Sequence, residues 1–200
     1  LKAKSLSEKL SINLIFGLRL KISSYPELVE EDDSIHKIVI LSKSSKGINI
    51  LNKIYSSFFC EGKGVGNYKI LKSLWSNEDL ILAVPFYDSF LYYNNFFFSN
   101  CLPDLSFCKP IFFIEDNNLP YDSLLKEKVE KYCCSEKYAL YAAKSIYYKL
   151  DSDVEAFQTY KCICNRSFGK KRTLSNPGLN NFGSNNFSFE SWSRNREKVI

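Results

Sequence analysis

Residues 80–114, LILAVPFYDSFLYYNNFFFSNCLPDLSFCKPIFFI, constrain this chain more than any other stretch. So dense a run of aromatic and aliphatic side chains is stable only when other segments cover it, which makes it the candidate central core. It does not read as a membrane span. Pro85, Asp88, Asn94 and Asn95 interrupt it, and nowhere does the chain hold the roughly 18 uninterrupted apolar residues that a spanning helix needs. At 200 residues, the chain suits one domain, or one domain with an extension.

The alphabet is skewed. Phe and Tyr, at 16 and 13, outnumber Gly and Pro, at 8 and 6. Phe, Tyr, Ile, Asn and Lys have AT-rich codons, so the bias points to an AT-rich genome such as that of an organelle, a parasite or an endosymbiont. Methionine is absent and the chain begins at Leu1, as expected of a processed or truncated product or a non-standard start. The apolar run from Leu10 to Leu20 contains Asn13 and Arg19 and lacks a small-residue cleavage site, so it does not read as a secretory signal. Seven cysteines at irregular spacings argue against a disulfide framework and for reduced thiols in an intracellular compartment; with the codon bias, an organellar location is expected, the mitochondrion favoured. Cys101 and Cys108 are too far apart for a zinc knuckle. Cys133 and Cys134 are too close, as are Cys162 and Cys164.

Periodicity outlines the elements. Leu6, Leu10, Leu14, Leu18 and Ile22 recur at every fourth position and predict an amphipathic helix over 4–22, capped by Ser5 or Ser7. Residues 35–41 predict a buried strand that carries His36, the only histidine, and 47–59 predict a helix. Tyr68–Trp75 predicts a short helix, and Leu80–Val84, Ser89–Phe98 and Pro110–Asp116 predict strands. A helix over 124–132, capped by Asp122 or Ser123, carries Glu127 and Lys131 at ion-pair spacing. A second helix is expected from Ser135 to Leu150, rich in Tyr138, Tyr141, Tyr147 and Tyr148, with a helical extension over 154–160.

Several patterns invite chemistry. Glu30, Glu31, Asp32 and Asp33 are adjacent and lack the spacing of a calcium loop, so they read as a solvated turn. Gly62, Gly64 and Gly66, with Lys63 and Lys69, fit neither a P-loop nor a dinucleotide fingerprint and read as a flexible turn. His36 lacks a paired nucleophile in the sequence. Glu115 and Asp116 end an apolar strand, an arrangement shared with metal-dependent phosphoryl-transfer sites and with many ordinary strands. The segment from Asn165 is different in kind, with basic Lys170, Lys171, Arg172, Arg194, Arg196 and Lys198, spaced aromatics from Phe168 to Trp192, and many Asn and Ser residues. Such a composition does not build a core alone. It suits phosphate contacts from the bases and anchoring by the aromatics.

Together these features predict an α+β fold, with a small aromatic-rich sheet (strands near 36–42, 80–98 and 110–115) packed against helices and an extended C-terminal tail. The expected organisation is a globular domain over 1–164 and a basic extension over 165–200. A net charge of +5 and a pI near 8.7 permit a nucleic-acid partner. The function expected is a non-catalytic subunit of a ribonucleoprotein such as a mitochondrial ribosome. It would contact ribosomal or other structured RNA and neighbouring protein subunits, with no cofactor, metal or transmembrane segment. The alternatives are an accessory subunit of a membrane-associated, respiratory-type complex, and a metal-dependent phosphoryl-transfer enzyme or nuclease using Asp88, Glu115 and Asp116.

Overall fold

The computed structural model describes residues 2–23, 35–61, 64–97, 99–164, 179 and 182–197. The chain divides into two compact units, Leu1–Ile114 with Glu127–Tyr141, and Glu115–Lys126 with Ala142–Ile200. The fold is α+β, a mixed six-stranded sheet with seven α-helices among the described residues.

The first unit is built on the sheet. Its strands run in the order β3 (Val65–Asn67), β1 (Gly17–Ser23), β2 (His36–Ser42), β4 (Leu80–Val84), β5 (Ile111–Ile114) and β6 (Ala139–Ala142). β1 and β4 flank β2 antiparallel, with Leu20 opposite Ile38 and Ile40 opposite Leu82. β3 joins β1, and β5 joins β4, in parallel. Ile22, Ile38, Ile40 and Leu82 are fully buried, so the two central strands have no water-facing alternative register. Helix α2 (Ser45–Ser56) packs on β2 and on α3 (Tyr68–Leu74). Its N-cap, Ser44, accepts a hydrogen bond from the Gly47 amide at 3.0 Å.

Three expectations are corrected. The helix over 4–22 is a short helix α1 (Lys2–Lys9) followed by strand β1. Leu18, Leu20 and Ile22 alternate with Arg19 and Lys21, and pairing with β2 rewards the two-residue period over the four-residue one. Residues 89–98 form helix α4 (Phe90–Phe96), because Ser89 accepts from the Tyr92 amide and caps a turn that aromatic content alone suggests is a strand. The helix from Ser135 to Leu150 does not form. Helix α5 (Asp122–Glu136) ends where Lys137 takes a left-handed φ of 60° and the Tyr138 amide donates to the Cys133 carbonyl at 2.9 Å. That is the geometry of a Schellman stop, without its usual glycine. Strand β6 follows.

Aromatic packing joins the elements of the first unit. Phe90 of α4, Phe112 of β5, Tyr132 of α5 and Tyr138 form a cluster with ring centroids 5.5–6.4 Å apart. Each such pair contributes about 0.5–1.5 kcal/mol beyond area burial.

The second unit holds α6 (Val154–Cys164) and α7 (Phe189–Glu197). Phe187 is buried against Tyr147 and Phe157, with Tyr147 stacked on Phe157 at 5.1 Å. A bridge pairs Tyr148 with Ser188.

Gly66 is where the first unit is tightest. A β-carbon there would lie 2.0 Å from the ring of Phe58, which is fully buried in the π-helical turn after α2. Gly66→Ala is expected to destabilise by about 1–3 kcal/mol through overpacking. Adding Phe58→Leu should recover part of that loss. Denaturant unfolding of the two single variants and the double variant measures the coupling, and strict additivity would contradict it.

Candidate functional site

The sequence-proposed acids separate between the units. Asp88, in the first, has a left-handed φ of 61°. Its carboxylate meets the Lys37 ammonium at 2.7 Å and the Arg19 guanidinium at 3.2 Å, while its carbonyl accepts from the Lys37 amide. It fastens the turn after β4 to β1 and β2. Glu115, Asp116 and Asp122, in the second unit, do share a groove of about 410 Å³ with Lys126.

The oxygens of that acidic groove are largely committed to internal donors. Buried Glu115 accepts from the Ser145 amide at 2.9 Å, the Ser145 hydroxyl at 2.8 Å and the Asn117 side-chain amide at 2.9 Å. Asp122 does not act as a simple cap for α5. It accepts from the backbone amides of Asn117 and Leu119, preceding its own helix. Asn117 is fully buried at the centre. Its side-chain oxygen accepts from the Lys144 ammonium at 2.8 Å, and its carbonyl accepts from the Ser184 hydroxyl. Burial holds the Lys144 ammonium below its ordinary pKa, an effect opposed by Glu115, Asp116 and Asp122. A buried polar network is stable only when its members are satisfied, and this one is the polar centre of its unit. Among the described residues, no group of three His, Cys, Asp or Glu side chains could hold a metal ion.

His36 opens β2 and is buried. Its Nε2 lies 2.7 Å from the Tyr68 hydroxyl and its Nδ1 3.8 Å from Cys101 Sγ, with the Phe90 ring edge-on. Burial raises the Tyr68 phenol well above its ordinary pKa. A sequence search for a histidine partner misses this trio because its members are far apart in the chain. Cys101 is buried too, so a substrate has no path to it in this conformation. The trio reads as a satisfied core histidine.

None of the seven cysteines forms a disulfide, and Cys101, Cys108, Cys133 and Cys162 are buried. Burial pushes the Cys108 and Cys133 thiols up to about 12.

Of the six basic residues proposed to meet RNA, Lys170, Lys171, Arg172 and Lys198 lie outside the described residues, as do Glu30 to Asp33, Gly62 and Lys63. Arg194 and Arg196 fall on α7. Arg194 is paired with Asp151 and lies 3.7 Å from Glu190. The Ser188 hydroxyl, and then Arg194, hold the Asp151 carboxyl below its ordinary value. Of the tyrosines expected on the helix from Ser135 to Leu150, Tyr138 stacks on Phe112, Tyr147 on Phe157, and Tyr148 donates to the Ser184 carbonyl. Tyr141 is exposed.

One surface escapes the sequence reading. Leu6, Leu10, Ile12, Leu14, Ile15 and Phe16 are each 41–66% exposed, in the stretch from α1 to the start of β1. Read as a helix, Leu6, Leu10 and Leu14 belong to one apolar stripe with Leu18 and Ile22. With the helix ended at Lys9, the first three stand in water. No helix among the described residues is long and apolar enough to cross a membrane. Compared with protein-family models and with curated proteins, the sequence matches none.

Glu115→Ala leaves three donors without their acceptor and is expected to destabilise by on the order of 3 kcal/mol. A carboxylate held in place for chemistry behaves in the opposite way, since its removal commonly stabilises. A thermal melt of this variant that rises above that of the wild type would contradict the scaffold role.

Proposed function

We propose that this protein is a non-catalytic subunit of a ribonucleoprotein assembly of the kind an organellar ribosome represents. It meets protein neighbours through its exposed apolar N-terminal stretch and RNA through its basic C-terminal segment. The observation that carries this reading is the run of exposed side chains from Leu6 to Phe16. Concentrated apolar exposure of this kind marks interaction surface. Fully burying a side chain of this size is worth about 1.5–3 kcal/mol, so covering several half-exposed ones against a neighbour supplies a substantial part of an association energy. The RNA half rests on the charge of +5 and on the basic, aromatic-spaced composition after Asn165. Electrostatic contacts to phosphates are sequence-independent and weaken steeply with salt.

The test is purification of the native particle through a tag on the full chain, with and without ribonuclease, for the wild type and for Leu10→Asp combined with Ile15→Asp. Both positions are exposed, so the double variant is expected to stay folded and to lose protein neighbours. Ribonuclease should release part of the wild-type particle, and binding to RNA should fall steeply between low and physiological salt. An unchanged set of neighbours in the variant would remove the apolar surface from the interface. A particle indifferent to ribonuclease would favour the protein-only, membrane-associated complex.

A further inference from the structure

A second groove, of about 470 Å³, lies between α4 and α5, wholly within the first unit. Its lining is unlike that of the acidic groove. Lys128 and Lys131 stand one helical turn apart on α5 and bring two positive charges to it. Neither forms an ion pair or hydrogen bond with a described residue, and the Glu127–Lys131 pair that the spacing predicts is not made. The charge of the groove is therefore not neutralised from within.

A second, independent observation concerns Asn95. Its side-chain amide nitrogen is buried and has no hydrogen-bond partner, and the residue lines this same groove. A buried donor without an acceptor costs about 1–3 kcal/mol, and it calls for an explanation in what occupies the space beside it. Its neighbour Asn94 is not in that position. Asn94 is held by two hydrogen bonds to the backbone of Cys101, donating at 2.7 Å and accepting at 3.1 Å, which fixes that edge of the groove.

The remaining walls set the shape of a ligand. Leu91 is buried and apolar, and Tyr132 presents part of a ring already fixed by Phe90 and Phe112. Burial pushes the Tyr132 phenol up to about 12, so at neutral pH it offers an O–H donor. The Ser135 hydroxyl donates to the Tyr132 carbonyl, closing the C-terminal end. The unsatisfied groups are thus donors and cations, and the rest is apolar or aromatic. A volume of about 470 Å³ falls in the range of small-molecule sites and far exceeds the roughly 30 Å³ that one water occupies. A bare oxyanion leaves most of it empty.

We infer that this groove binds a phosphate ester. Its oxygens meet Lys128, Lys131 and the Asn95 amide, and its organic part lies against Leu91 and Tyr132. A free mononucleotide and the backbone of an RNA strand both supply that chemistry. The site does not depend on the assembly proposed above, since its residues are distinct from both the apolar N-terminal stretch and the C-terminal bases.

The experiment titrates the full chain with adenosine monophosphate, with adenosine, and with a short single-stranded oligoribonucleotide, by calorimetry at low and physiological salt. The proteins are the wild type, Lys128→Gln combined with Lys131→Gln, and Asn95→Ala. The expected result is binding of the phosphate-bearing probes but not adenosine, weakened about tenfold or more in the lysine variant, with a shallower salt dependence. Asn95→Ala should weaken binding while leaving the melting temperature equal or higher, because it removes an unsatisfied donor; a merely structural asparagine would lower it. The monophosphate binding on its own assigns the groove to small phosphate esters, and the oligonucleotide alone assigns it to an RNA strand. Binding of neither, or equal binding by wild type and lysine variant, overturns the inference. In the latter case an oligonucleotide that still binds is held elsewhere, and the C-terminal reading survives. The lysines are exposed, and melting curves verify that the variants are folded.

Discussion

Burial of β2 and β4 is the constraint on which the first unit depends. Ile38, Ile40 and Leu82 are fully shielded from water, and a one-residue slip of either strand would exchange them for the opposite face. The register fixes its neighbours in turn. β1 lies opposite β2 with Leu20 beside Ile38, and Asp88 fastens the turn after β4 to Arg19 and Lys37. Because β2 begins with His36, the same burial carries an imidazole into the core, where the Tyr68 hydroxyl meets one ring nitrogen. The histidine follows from the sheet and its partner from the need to satisfy a buried polar ring.

The second unit is organised around a polar centre. Asn117 is fully buried and engages Glu115, Lys144 and Ser184. Apolar contact is present, chiefly among Tyr147, Phe157 and Phe187, but the loop from Glu115 to Asp122 takes its shape from hydrogen bonds. Glu115, which ends an apolar strand in the sequence, is with its donors in view part of that scaffold, while Asp116 beside it is exposed. The difference between the two grooves follows from the same test. The acids of one have internal donors for their oxygens, whereas the lysines and the Asn95 amide of the other have no acceptor.

What the sequence disclosed was set by how local each signal is. β2, β4 and β5 were legible as apolar runs bounded by polar residues, and α2 and α3 by their caps and periodicity. α4 was missed because its aromatics favour strands by propensity, while the deciding signal was one hydroxyl, that of Ser89. The end of α5 was missed because Lys137 holds the left-handed stop that glycine usually signals. β1 has the pattern of a helix as well as of a strand, because its leucines satisfy two periods at once, and only the partner strand decides between them. The polar site at Asn117 joins residues 115–122 to 144, 145 and 184, a juxtaposition that no spacing in the sequence announces.

The same misreading concealed the surface from Leu6 to Phe16. On a helix Leu6, Leu10 and Leu14 share one apolar face, whereas on the approach to β1 they are exposed together with Ile12, Ile15 and Phe16. Their coverage by a neighbour is the central functional claim. Radical footprinting measures it directly, by comparing side-chain oxidation of residues 6–16 in the isolated chain with that in the native particle. Strong protection of Leu10, Ile12, Ile15 and Phe16 in the particle is predicted. Equal oxidation in both states would contradict the claim.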